Sequence, residues 1–134
     1  MEPCREWDNA NHQPSPRQAE NLHAKTELAG TQFATVHPVI AVSAAENYHL
    51  ELWAEALIKA LPVSSSSAVF RHLSPELQTE YVQKTAREHF VQATGDIFDD
   101  AVAAIQTSGR LVRQLQRLRL RFLAVIRAVW HLLF

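Results

Sequence analysis

Two short segments each set a carboxylate three residues before an imidazole: Ala19-Glu20-Asn21-Leu22-His23 and Ala45-Glu46-Asn47-Tyr48-His49. Residues three apart share a helical face, so each pair would offer one carboxylate oxygen and one imidazole nitrogen to the same point, a donor set that suits iron or manganese. Glu46 and His49 are the candidate metal ligands on this reading. Glu46 also has a simpler use, because it stands three residues after Ser43 and can complete a helix-capping box. Beyond these pairs the chain has no Gly-rich phosphate loop, no nucleophile motif and no Cys-x-x-Cys. Its lone cysteine, Cys4, has no internal disulfide partner and lies in a polar stretch, where a free thiol is expected. His72 and His89 are the histidines expected to be partly buried, and a histidine on a helical face is more often a hydrogen-bonded core residue than a general base. No catalytic residue is assigned and no cofactor is expected.

Two likenesses attach to these residues. The Glu-x-x-His spacing resembles the ligand pairs of ferritin-like carboxylate di-metal bundles, which also need a further glutamate from each of two other helices; Glu80 and Glu88 would fill those places. The segment Val91-Gln92-Ala93-Thr94-Gly95-Asp96-Ile97-Phe98 resembles the Gly-Asp core of a BH3 segment over about eight residues, with Val91 and Phe98 at two of its hydrophobic positions. Arg87 and Thr94 stand where that family carries apolar anchors, and a helix C-cap followed by an N-cap explains Gly95-Asp96 equally well.

Charge divides the chain. Seven basic and fourteen acidic residues precede Ser108, whereas Arg110, Arg113, Arg117, Arg119, Arg121 and Arg127 follow it with no acid at all. The net charge of −1 argues against a general nucleic-acid binder, and an arginine stripe without interleaved aromatics attracts phosphate without reading it. Leu111, Leu115, Leu118, Phe122, Val125, Val129 and Leu132 alternate steps of four and three and form a heptad-like seam that needs a partner. Arg110, Arg113, Arg117 and Arg121 hold the opposite face; beyond Phe122, residues such as Leu123, Ile126 and Trp130 make the helix apolar nearly all round. The run from Phe122 to Phe134, with Arg127 inside it, falls short of the roughly 20 residues that span a bilayer.

The elements that must carry these residues read as helices. Residues 1–42 form a flexible arm and linker, with a short helix from Ala19 to Leu28 as an option. Ser43 starts a helix that Pro62 ends, with Leu50, Trp53, Leu57, Ile58 and Leu61 on its apolar stripe. Ser74-Pro75 starts another, burying Val82, Ala86, His89, Phe90 and Ala93 and stopping at Thr94-Gly95. Asp96 caps the next, with Ile97, Ala101 and Ile105 inward. Thr107, Ser108 and Gly109 then leave either a hinge or one long helix. The expected fold is all-α: a small bundle of three to four main helices over 43–134, closed by the Arg-rich helix 110–134.

Three uses of that last helix stay open. It is an internal bundle helix whose arginines pair with Glu76, Glu80, Asp99 and Asp100, an element laid on a membrane or in a protein groove, or a seam for self-association. The reading taken is a non-enzymatic, cytoplasmic binding module with another protein or itself as partner, through Arg110, Arg113, Arg117, Arg121, Leu111, Leu115, Leu118, Phe122 and Trp130. An acidic membrane surface is the first alternative, and a carboxylate/histidine metal enzyme the second.

Overall fold

Helices dominate because apolar residues recur at steps of three and four while strand signals are few. The computed structural model describes Trp7, Asp8, residues 10–105 and residues 109–134, and Cys4, Thr107 and Ser108 fall outside these. Among the described residues there are six α-helices and one two-stranded antiparallel sheet. They form two compact units, Met1–Ala60 and Leu61–Phe134.

In the first unit, β1 (Trp7–Asp8) pairs with β2 (Gln13–Pro14), Trp7 opposite Pro14. Asp8 holds the intervening turn, accepting from the Ala10 amide at 2.9 Å and from Asn11 Nδ2 at 2.7 Å. Helix α1 (Pro16–Phe33) is longer than the Ala19–Leu28 option. Ser15 caps it, its hydroxyl accepting from the Gln18 amide at 3.3 Å, and Pro16 at the first position loses only a donor that no helix end satisfies.

Helix α2 (Leu50–Ala60) starts seven residues later than the Ser43 signal indicated. The capping bond itself forms, from the Glu46 amide to Ser43 Oγ at 3.3 Å, but it closes a turn. Ser43 and Tyr48 exchange both backbone hydrogen bonds at 3.1 and 3.0 Å, and Asn47 and His49 take positive φ of 52° and 56°. Asn and His tolerate that conformation better than most residues, so a reversal replaces the first helical turns. Ala54 and Ile58 are fully buried on α2, whereas Trp53 is 39% exposed. Ala60 ends the helix two residues before Pro62.

The second unit comprises α3 (Ser66–His72), a 3-10 turn (Pro75–Leu77), α4 (Glu80–Ala104), α5 (Gly109–Ala128) and α6 (Trp130–Leu133). Ser74-Pro75 opens only the 3-10 turn. The long helix starts at Glu80, where Thr79 Oγ1 accepts from the Val82 amide at 3.3 Å. It then continues through Thr94-Gly95-Asp96 without a cap, because Gly95 has no positive φ and is packed against α5. Val82 and Ala86 are buried on one side of α4 and Val91 on the opposite side, while Ile97 and Ile105 are 70% and 55% exposed. Asp99 meets Arg119, and Glu88 meets Arg127, so α5 runs back antiparallel along α4.

The core of this unit is an aromatic cluster. Trp130, 4% exposed, has its ring centroid 5.8 Å from Phe70, 5.6 Å from Phe90 and 4.2 Å from Phe134. The Arg71 guanidinium sits 4.6 Å over Phe134 and donates to the Leu133 carbonyl at 2.8 Å, fixing the chain end on α3. Among the described residues no helix is long and apolar enough to cross a membrane.

Candidate functional site

Helix α5 has two apolar stripes, and the structure uses one of them internally. Val112, Leu115, Arg119, Leu123, Ile126 and Val129 are half-buried along one face. The expected seam is offset from it by one residue. Leu111 is 42% exposed, Leu118 54%, Phe122 42%, Val125 58% and Leu132 74%, so only Leu115 and Val129 of the seven seam positions turn inward. Trp130, placed with the binding residues by its sequence, lies in the core instead.

The offset follows from Gly95. A Cβ there would lie 2.6 Å from Arg119 Nη2 and 3.3 Å from Leu123 Cδ1, so the missing side chain is the space that lets Arg119 and Leu123 face α4. Arg119 Nε then rests 2.8 Å from Asp99 Oδ1 as an ion pair whose geometry is off the hydrogen-bond line. Farther along, Arg127 Nε and Nη2 donate to the two oxygens of Glu88 at 3.3 and 3.0 Å. That fork holds the Glu88 carboxyl below the usual glutamate range.

The sign of this effect is testable. A lowered folded-state value means the pair stabilises fully above the ordinary range and loses that contribution as pH falls through the lowered value. Glu88→Gln should therefore cost little at about pH 6, at most about 1 kcal/mol for an exposed pair. The difference from wild type should shrink as pH falls below the ordinary glutamate range and vanish once Glu88 is protonated in the folded protein too. Thermal melts of both proteins across that range measure it, and a difference that grows on acidification would contradict the pairing.

Arg110, Arg113, Arg117 and Arg121 are all exposed. Among the described residues none of them forms an ion pair, and Arg113 Nε instead donates to the Gly109 carbonyl at 3.3 Å. The acids expected to hold them do other things: Asp99 takes Arg119, and the Glu76 carboxyl is held low by its own backbone amide and the Ser74 hydroxyl. The surface of α5 thus presents four arginines beside exposed Leu118, Phe122 and Val125.

The two Glu-x-x-His segments do meet, through their histidines. His23 and His49 line one cleft of about 200 Å³ with Thr26, Ile40, Tyr48 and Leu52. His49 stacks on Tyr48 with centroids 3.7 Å apart and has Nδ1 3.2 Å from the Ala41 carbonyl. Glu46 turns away to His12 at 3.1 Å, and His23 Nε2 is 3.4 Å from Glu27. Among the described residues no three His, Cys, Asp or Glu side chains cluster where they could hold a metal ion.

His89 is half-buried as expected, but His72 is exposed. His89 Nδ1 and Ser66 Oγ are 2.6 Å apart, a pairing that sequence spacing gave no sign of. Ser66 is fully buried, so this contact ties α3 to α4 and offers no hydroxyl to a substrate. In the BH3-like segment Val91 and Gly95 are buried and Phe98 lies against Phe122, 6.5 Å between centroids, so its motif positions face its own unit.

No protein-family model matches the chain, and no solved structure does. It is 44% identical to the uncharacterized protein YeeP of Escherichia coli (strain K12) over 134 residues, covering 99% of this chain and 56% of that protein. The uncharacterized proteins YkfA and YfjP of the same organism are 34% and 32% identical over 122 and 120 residues, covering 91% and 90% of this chain and 42% of each relative. The chain therefore spans about half the length of the curated relatives it matches.

Proposed function

We propose that the chain is a non-enzymatic binding module that associates with a protein partner, or with itself, through α5. The observation carrying this reading is the juxtaposition on one helix of exposed Leu111, Leu118, Phe122 and Val125 with four arginines that form no ion pair among the described residues. An apolar stripe removed from water stabilises association, and flanking unpaired charges set orientation and encounter rate more than affinity. A lipid surface of negative charge suits the same residues less well, because Trp130, the aromatic that would sit at the headgroup level, is in the core.

Replacing Arg110, Arg113, Arg117 and Arg121 together with glutamine should leave the melting temperature within about 3 °C, since exposed charges contribute about 0–1 kcal/mol each at most. Association should weaken, and raising salt should mimic the loss as the Debye length falls from about 10 Å at 0.1 M to about 3 Å at 1 M. Circular dichroism melts and pull-downs from the native host, run on wild type and variant at both salt concentrations, check the two halves. A large drop in melting temperature with unaltered binding would make the stripe an internal structural element and sink the proposal.

A further inference from the structure

At about 100° per residue the surface of α5 divides into adjoining sectors. Val112, Leu115, Arg119, Leu123 and Ile126 fill the inward one. Leu111, Leu118, Phe122 and Val125 lie beside it within about 60°, and Arg121, Arg110, Arg117 and Arg113 follow in that order over a further sector about 80° wide. The exposed apolar sector is therefore bounded by arginines at one edge and by α4, whose Phe98 meets Phe122, at the other. A stripe this narrow has the width of a coiled-coil seam, which takes one more helix, and falls short of the roughly 100° by which a helix is buried against a whole core. A helix lying on a bilayer carries cations at both edges of its apolar face, where their stems reach the headgroups; here one edge is α4.

Charge selects the occupant. Helix α4 supplies no acid to the arginine edge: beside the seam it carries Asp96, Asp99 and Asp100, of which Asp99 is taken by Arg119, and Asp96 and Asp100 stand about 160° around the helix from Phe98. A second copy laid on the same seam would oppose arginine to arginine. We infer that the seam takes an acidic amphipathic helix of another protein, its apolar face on Leu118, Phe122 and Val125 and its carboxylates along the arginine edge. This rests on the proposed use of α5 for association and names the chemistry of the partner. Leu111 to Val125 spans about 21 Å, so the bound helix is about four turns long. The arginines are graded by position. Arg121 stands about 70° from the middle of the seam, within reach of a carboxylate at the edge of the bound helix, whereas Arg113 stands about 150° away on the outer side.

The test uses the full chain and two fluorescein-labelled synthetic peptides of about 18 residues, each with leucine at heptad positions a and d, one with glutamate and the other with lysine at e and g. Fluorescence anisotropy should give the glutamate peptide a dissociation constant at least about tenfold below that of the lysine peptide. Arg121→Glu should weaken the glutamate peptide at least about tenfold and tighten the lysine peptide. Arg113→Glu makes the same change of net charge and should shift either peptide by less than about threefold at 0.15 M salt, because its charge is screened at that distance. Leu118→Asp should abolish binding of both peptides while melting like wild type, since Leu118 is exposed in the single chain.

Equal affinity for the two peptides, or equal effects of Arg121→Glu and Arg113→Glu, overturns the inference; if Leu118→Asp still abolishes binding, the association reading stands. Sedimentation equilibrium at twice the 15.2 kDa mass of one chain, with neither peptide bound, makes a second copy the occupant and overturns the inference likewise. Sedimentation with vesicles of anionic lipid but not of neutral lipid, with neither peptide bound, assigns the seam to a membrane and overturns both readings. A monomer that binds neither peptide nor vesicle also overturns both.

Discussion

Replacing Trp130 with alanine should lower the melting temperature by about 12 °C or more. The indole is 4% exposed and sits against Phe70, Phe90 and Phe134 at once. Truncating a buried aromatic costs roughly 3–5 kcal/mol through lost transfer and the cavity left behind. For a domain of this size each kcal/mol is worth about 4–8 °C. The loss should be cooperative across the Leu61–Phe134 unit, because the same ring bridges α3, through Phe70, to α4, through Phe90. Trp130→Phe keeps most of the apolar surface and should cost less than half as much. Melts followed by far-UV circular dichroism decide it: an alanine variant within about 3 °C of wild type would mean the cluster is not the core of this unit.

That tryptophan shows where the sequence was legible and where it was not. The helical class, the stop at Pro62 and the buried Val82 and Ala86 follow from local pattern and appear in the structure. Local pattern places Trp130 on a binding face because apolar residues surround the helix near its end, and periodicity cannot choose a direction when every direction is apolar. The structure chooses through Val129, where φ of −98° and ψ of 10° break α5 from α6 and turn the indole inward.

The seam of α5 was misplaced for a different reason. Leu111, Leu118, Phe122 and Val125 make the better heptad, whereas the stripe that packs, through Val112, Leu115, Arg119 and Leu123, includes an arginine. An apolar count rejects that stripe. It packs because a glycine on another helix leaves room for the guanidinium and Asp99 meets its charge, a tertiary fact that no window on α5 contains. The exposed heptad is then a surface feature of α5. Ser43 failed more locally: its hydroxyl accepts from the Glu46 amide, a bond that serves a turn as well as a helix start, while the Glu46 carboxylate goes to His12 and the Ser43 amide donates to the Tyr48 carbonyl instead of closing the capping box.

Local pattern makes Gly95 a helix stop, whereas in the structure it lies inside α4 against Arg119 and Leu123, which makes it the second site of large expected effect. Glycine inside a helix costs about 1 kcal/mol relative to alanine. Here the cost is offset by the close approach of Arg119 and Leu123. In Gly95→Ala the added Cβ meets the movable guanidinium tip at 2.6 Å, so Arg119 shifts away from Asp99 while the helix gains propensity, and stability should change by less than about 1 kcal/mol. Gly95→Leu adds three further carbons where Leu123 Cδ1 already stands 3.3 Å from the first one. Neither backbone can yield without separating α4 from α5, and overpacking of this kind costs typically 1–3 kcal/mol or more. The melting temperature should fall by about 10 °C, with hydrogen exchange accelerated in α5 before it accelerates around Trp130. Because separating the helices also splays Phe98 from Phe122, association should weaken in parallel. If Gly95→Leu instead melts like wild type while Gly95→Ala is strongly destabilised, Gly95 is serving its own backbone and not the packing of α5, and the placement of Arg119 on the inner face is wrong.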